Sequence, residues 1–226
     1  MLEILCQKVT IYNILYMKFK TAITGIKNEK EYIHGHPLES LIKERSFTET
    51  IYFLLKGEFP SDAHKKMLDS LLVAAIDHGP GTASAQVSRI VVSAKNSLHV
   101  SVAAGILAMG ERHGSAIEGA AEFFSLHKDH TDISSLAQEL KEKKVRVPGF
   151  GHPFLTEDHR SATLFSLAKD LEIFGEHAAF AANFHTALNE VSSKPLPLNI
   201  DGAMAAILLD MGFAPALMKG FFMIAR

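Results

Sequence analysis

Four short segments set imidazole or carboxylate groups beside glycine at the ends of apolar stretches: Asp77-His78-Gly79-Pro80, Arg112-His113-Gly114, Gly149-Phe150-Gly151-His152-Pro153 and Asn199-Ile200-Asp201-Gly202. These residue types suit proton transfer, since imidazole titrates near neutrality, a carboxylate can act as a base, and glycine lets main chain approach a ligand closely. Helix ends at such places leave unpaired amides that favour anions. Taken singly, each has a plain structural explanation. A loop histidine is usually a surface or capping residue, Asp201 fits an ordinary N-cap, and His113 suits the negative end of a helix dipole. His78, His113 and Asp201 are also metal-ligand types, but they lack His-Glu-x-x-His or His-x-His spacing, so no metal is expected. His177 and His185 share one expected helix and read as half-buried packing residues.

The elements that must position these groups are helical. Apolar residues recur with helical spacing, and Ala, Leu, Met and Glu are prominent. Ser46-Phe47-Thr48-Glu49 matches a capping box ahead of the apolar run 51–55, and Gly57 stops that helix before Pro60. Further helices are expected over 64–76, after the cap candidates Ser61 and Asp62, then over 84–94, 98–109, 116–124 and 134–144. Pro148, Gly149 and Gly151 make 147–152 a loop. Helices over 161–174, 176–191 and 203–211 follow. The stretches 87–92 and 207–209 are strand-like in composition but have no alternating partner, so they too read as helix. The fold class is all-α.

Composition bounds the function. The 226 residues are 47% hydrophobic and 21% charged, with a net charge of −2, so a sizeable core is affordable and neither nucleic acid nor a membrane surface is an expected partner. Cys6 is the single cysteine, which excludes a disulfide within the chain and suits a reducing cytoplasm. Residues 1–16 are apolar but interrupted by Glu3, Gln7, Lys8 and Asn13, too short to span a bilayer and without a cleavage site. Met17 opens a more ordinary start, so 1–16 read as an N-terminal extension or added helix before a domain over 17–226.

The set of segments is more specific than any member. Tyr32-x-x-Gly35-x-x-Leu38-x-x-Leu41, followed by Ser46-Phe47-x-Glu49-x-x-Tyr52-x-Leu54-Leu55-x-Gly57-Glu58-x-Pro60-Ser61, closely resembles the N-terminal block of the citrate synthase family. The Asp77-His78, His113-Gly114, Val147-Pro148-Gly149-Phe150-Gly151-His152 and Asn199-Ile200-Asp201 segments recur in that family's order, so the resemblance runs from about Thr21 to Arg226. Asp77-His78-Gly79-Pro80 with Ser84-Ala85 is similar to citryl-CoA lyases and to the lyase module of ATP-citrate lyase, whereas citrate synthases more often carry Glu where Gly79 stands.

The resemblance implies a larger helical lobe with a smaller one over about 113–205, a homodimer, and chemistry on a coenzyme A thioester as substrate with no resident cofactor. It implies formation or cleavage of the bond between acetyl-CoA and oxaloacetate through citryl-CoA, with citryl-CoA cleavage, another oxo-acid such as a 2-methylcitrate-type substrate, or a catalytically weak CoA-binding role as alternatives. A thioester methyl is a very weak acid, so the reaction needs a base and a stabilised enolate oxygen. By resemblance Asp201 is the base, His113 donates to the thioester oxygen, and His152 hydrogen-bonds and protonates the ketone oxygen. His78, Arg160 and Arg226 would hold carboxylates, Arg160 within Asp158-His159-Arg160 where the family usually has Asp-Pro-Arg. Val147, Gly149 and Gly151 belong to the loop whose main chain reads adenine, and Asn199 lies near the thioester arm. Lys141, Lys143 and Lys144 read as a solvated face rather than phosphate ligands. The sequence ends at Arg226, where family members continue to an arm with a further carboxylate-binding arginine, so a shortened or impaired enzyme is expected.

Overall fold

The computed structural model describes residues 10–14, 17–111, 113–114, 116–153 and 155–226, with side chains from residue 20 onward. It comprises two compact units, Met1–Lys65 and Lys66–Arg226.

The first unit begins with β structure that the helical reading did not include. β1 (Thr10–Ile14) pairs antiparallel with β2 (Met17–Thr21), so an added helix in the N-terminal extension does not extend over 10–14; residues 1–9 and 15–16 lie outside the described residues. β3 (Thr24–Lys27), β4 (Lys30–Ile33) and β5 (His36–Pro37) form a meander with Lys27 opposite Lys30 and Ile33 opposite His36. Each turn holds two residues at positive φ, Asn28 and Glu29 and then His34 and Gly35. That is the local geometry that joins twisted strands tightly, but without the usual Asn-Gly pair it leaves little trace in sequence.

α1 (Leu38–Glu44) and α2 (Phe47–Lys56) complete the unit. The capping box at Ser46 forms as expected: Ser46 Oγ accepts from the Glu49 amide at 3.3 Å, and a Glu49 carboxylate oxygen accepts from the Ser46 amide at 2.9 Å. Gly57 ends the helix in the left-handed conformation. Glu49 also pairs with Arg45 at 3.2 Å and with Lys65 at 3.2 Å.

The second unit is helical throughout: α3 (Asp62–Ala75, entered from the first unit), α4 (Ala83–Ser93), α5 (Leu98–Leu107), α6 (Ala116–His127), α7 (Ile133–Glu142), α8 (His159–Asp170), α9 (Glu176–Val191), α10 (Ile200–Asp210) and α11 (Met218–Ala225). Both strand-like stretches, 87–92 and 207–209, lie within helices of 11 residues each, α4 and α10. Apolar on every side, α10 is the axis of the core, packed against α6, α8 and α9. Phe124, Phe150, Phe180 and Phe184 fill the space between α6, α9 and the loop after α7. Asp210 at the end of α10 accepts from the amides of Gly175, His177 and Ala178, tying down the start of α9, and from His177 Nδ1 at 2.8 Å. His185 stacks on Phe150, so of the two half-buried histidines of α9 one packs on a ring and the other is held by Asp210.

Hydrogen bonds from Ser46 and the pairs with Lys65 and Arg45 outweigh burial and hold the Glu49 carboxyl down at about 2. A depressed carboxyl contributes stability above its unfolded value near 4.5 and loses it as pH falls through about 2. Glu49→Gln should therefore lower protection of the α2 amides against hydrogen exchange by about 1 kcal/mol at pH 6–7. The gap should narrow below pH 4.5; an equal gap at pH 3 and pH 7 would contradict the capping-box account.

Candidate active site

All four chemistry-bearing segments meet in one cavity of about 1080 Å³ within the second unit. His78, His113, His152, Arg160, Asn199, Asp201 and Arg226 line it, as do Gly149 and Gly151. Val147 does not; it is buried behind the loop.

A contact between two glycines sets the geometry. A Cβ on Gly202 would lie 2.5 Å from Gly149 O and 2.7 Å from a Leu198 methyl, and one on Gly149 would lie 2.8 Å from Gly202 Cα. With neither Cβ present, the start of α10 lies against the 147–152 loop, which is stitched to it by Asn199 N–H to Gly149 O at 2.9 Å and Gly151 N–H to Pro197 O at 2.7 Å. Asn199 is the N-cap: its Oδ1 accepts from the Gly202 amide, and its Nδ2 donates to Gly151 O at 2.9 Å. The capping explanation for Asp201 is thereby overturned. Asp201 sits in the first turn with Oδ1 buried and without a hydrogen-bond partner. Burial pushes its carboxyl up to about 6, against the pull of Arg160 and Arg226 and with a push from Asp158.

Asp158 shows how a second carboxylate is kept ionised. Burial pulls it upward, but Arg160 donates through Nε at 2.9 Å and Nη2 at 2.8 Å, and the amides of Arg160 and Ile200 add 3.1 Å bonds, holding it below its ordinary value. Two carboxyl groups thus diverge in basicity, the pattern expected of a base and a structural anion. Asp158 caps α8, links it to α10, and orients Arg160 so that Nη1 lies 3.4 Å from His78 Nδ1.

The Leu155 amide donates to His152 Nδ1 at 3.0 Å, which orients that ring. Its Nε2 lies 3.4 Å from His78 Nε2 with the rings edge to face, and His78 Nδ1 lies 3.4 Å from Arg160 Nη1. Two converging ring nitrogens beside an arginine suit an oxygen-rich anion. Burial lowers the affinity of His78, His113 and His152 for a second proton; Arg160 reinforces this at His78, Arg226 at His113, while Asp158 opposes it at His152.

His113 is set by a tight turn in which it and Gly110 exchange backbone hydrogen bonds of 2.8 Å, and its Nε2 lies 2.8 Å from Ser84 Oγ. Ser84 reaches it because α5 lies closely on α4 at Gly105, where a Cβ would come within 3.0 Å of Ser84 O. The ring meets Phe222 edge to face, and Arg226 lies over Phe222 at 4.8 Å while its Nε donates to Ala75 O at 2.9 Å. Arg226 Nη1 is buried without a partner. Sequence reasoning did not assign roles to Ser84 or Asp158; spacing offered no signal for Ser84, but the Asp158-His159-Arg160 step did contain a helix N-cap. Lys141, Lys143 and Lys144 are exposed and off the cavity, whereas Arg146 and Lys219 line it. Among the described residues, no group of three or more His, Cys, Asp or Glu is placed to hold a metal ion, and no helix is long and apolar enough to cross a membrane.

Residues 59–226 match the family model described as citrate synthase, C-terminal domain. The chain belongs to the citrate synthase family. The structure of citryl-CoA lyase from Hydrogenobacter thermophilus superposes with a TM-score of 0.87 at 40% identity, covering 92% of this chain and 82% of that one. ATP citrate lyase from Methanothrix soehngenii, in complex with citrate and coenzyme A, shares the fold with a TM-score of 0.82 at 22% identity, over 92% of this chain and 37% of that one. ATP-citrate synthase beta chain protein 2 of Arabidopsis thaliana is 28% identical over 84% of this chain and 32% of its own length, so this citrate synthase-family chain spans about a third of such relatives.

The Asp201 carboxyl, raised from 3.8 to about 6, keeps a proton in the folded protein that the unfolded chain has released over that window. Native stability therefore falls as pH rises from about 4 to about 6. Asp201→Asn should relieve this, adding about 1–3 kcal/mol above pH 6 and little below pH 4. Urea unfolding at pH 4, 5 and 7.5 measures it; a gain independent of pH would mean that Asp201 does not titrate in this range.

Proposed function

We propose that the cavity makes or breaks the carbon–carbon bond between the acetyl group of a CoA thioester and oxaloacetate, through citryl-CoA, with cleavage as the favoured direction. The observation that carries the reading is the meeting of Asp201, unpartnered and raised in basicity, with the imidazoles of His113 and His152 in one cavity. Cleavage is favoured by the 40% identity with a citryl-CoA lyase over most of both chains.

In this reading Asp201 exchanges the proton on the acetyl methyl. Ser84 donates to His113 Nε2, leaving Nδ1–H to hydrogen-bond the thioester oxygen while enolate charge resides there. A neutral imidazole is the better match, since its acidity lies nearer that of the enol. In cleavage His152 takes the hydroxyl proton from the oxygen on the oxo-acid carbon as the carbon–carbon bond breaks, and the protonated Asp201 carboxyl returns one to the departing acetyl carbon; in synthesis both transfers reverse, Asp201 taking the methyl proton and His152 protonating the new hydroxyl. His78, Arg160 and Arg226 take the carboxylates, where a planar guanidinium gives directional bonds. Gly149 and Gly151 offer bare main chain for adenine, and Asn199 holds that loop in shape. Coenzyme A is a substrate here, with no resident cofactor, and the single cysteine is in keeping with the cytoplasm.

The same reading includes a homodimer. In α4 and α5 the buried positions are small or polar, Ser84, Ser101 and Gly105, while Leu98 is 77% and Leu107 86% exposed along with Ile90, Val100, Val102 and Ile106. An inverted pattern of this size calls for a covering apolar surface. A second copy of the same face fits.

Asp201→Asn should reduce turnover of citryl-CoA to oxaloacetate by about 10²-fold or more while CoA binding persists. Near-full activity would reject the base assignment, and release of citrate and CoA without oxaloacetate would reject cleavage. Leu98→Asp with Leu107→Asp should convert a dimer to monomers in sedimentation; a wild-type protein that is already monomeric at micromolar concentration would sink the dimer.

A further inference from the structure

The cavity carries more cationic groups than the reacting end uses. Arg160 and Arg226 are the cations that act on Asp201, and Arg226 acts on His113. Arg146 and Lys219 line the same cavity without being among the charges that act on Asp201 or on the three imidazoles. They form a second cationic place.

Lys219, on α11, is paired through Nζ with Glu118 Oε2 on α6, and their side chains are 43% and 24% exposed. The next residue on α6, Gly119, lies against the loop that carries Arg146: a Cβ there would be 3.1 Å from Pro148 Cγ. Arg146 is exposed and, among the described residues, has no ion pair. One unpaired guanidinium and one ammonium already holding a carboxylate therefore share this wall with Glu118 and Glu122.

We propose that Glu118 is a displaceable counter-ion for Lys219, and that the phosphate groups of the thioester's nucleotide arm take Lys219 from it beside Arg146. The inference rests on the CoA-thioester reading above. A half-exposed ion pair is weak, so exchange for a multiply charged phosphate is favourable, with Arg146 as a second contact. A ligand that lacks phosphate cannot make the exchange and meets a neutralised wall. Glu118 therefore lowers affinity for the phosphorylated arm by the strength of the pair that must be given up, acts only through Lys219, and leaves a ligand without phosphate unaffected.

The test is calorimetric binding of coenzyme A and of pantetheine to the full chain, at low and at physiological salt, for the wild type, Glu118→Gln, Lys219→Met, Lys219→Arg and the double variant Glu118→Gln/Lys219→Met. Glu118→Gln should tighten coenzyme A binding about two- to five-fold at low salt, and Lys219→Met should weaken it about five-fold. Lys219→Arg should retain affinity, the double variant should match Lys219→Met, and pantetheine should bind every variant alike. Weaker or unchanged coenzyme A binding in Glu118→Gln overturns the proposal, as do equal shifts for both ligands, while leaving the reaction assignment standing. Failure of the wild type to bind coenzyme A at all rejects both.

Discussion

The meeting of Asp201 and His152 depends on one close approach of main chain to main chain. Gly149 and Gly202 touch where side chains would have to overlap, and this brings the first turn of α10 onto the loop that ends in His152. Asp201 and His152, far apart in sequence, then open into the same cavity. Asn199 completes the arrangement by capping α10 with its oxygen and holding Gly151 with its nitrogen. Any side chain at either glycine would push the helix and the loop apart and separate Asp201 from His152.

Around that contact, the charges are sorted by hydrogen bonding. Asp158 and Asp201 are both poorly exposed, but Asp158 collects four donors and is held below its ordinary value, while Asp201 Oδ1 collects none and burial raises that carboxyl to about 6. The arginines near them have divided tasks. Arg160 is bound to Asp158 through two nitrogens and offers its third to His78, and Arg226 is anchored at Ala75 O with Nη1 left over. Preorganised donors of this kind stabilise developing charge without rearranging during reaction.

The core makes this rigidity possible. α10 is enclosed by α6, α8 and α9, and the loops that carry His113, His152 and Asn199 lead into α6, α8 and α10 in turn. The exposed face of α4 and α5 has the opposite character, with apolar residues outward and Ser84 inward against His113. The helix pair that supports His113 is thus also the one that presents this apolar face.

Most of the helices, the caps at Ser46 and Gly57, and the groups whose chemistry allows proton transfer were legible in the sequence, because periodicity, caps and side-chain chemistry are local properties; the short helix α1 was not. The sequence did not reveal the hairpins over 24–37, whose turns use Asn28-Glu29 and His34-Gly35 rather than a strong turn pair. It left Asp201 indistinguishable from a cap, since a carboxylate at a helix start looks the same whether it receives amides or not. That Asn199 caps α10, that Ser84 reaches His113, and that Lys219 lines the cavity with Arg146 emerged only from the packed chain. The physical reason is that basicity, tautomer and access are set by neighbours brought from distant parts of the chain, and burial at Asp201 exists only once α10 is packed into place.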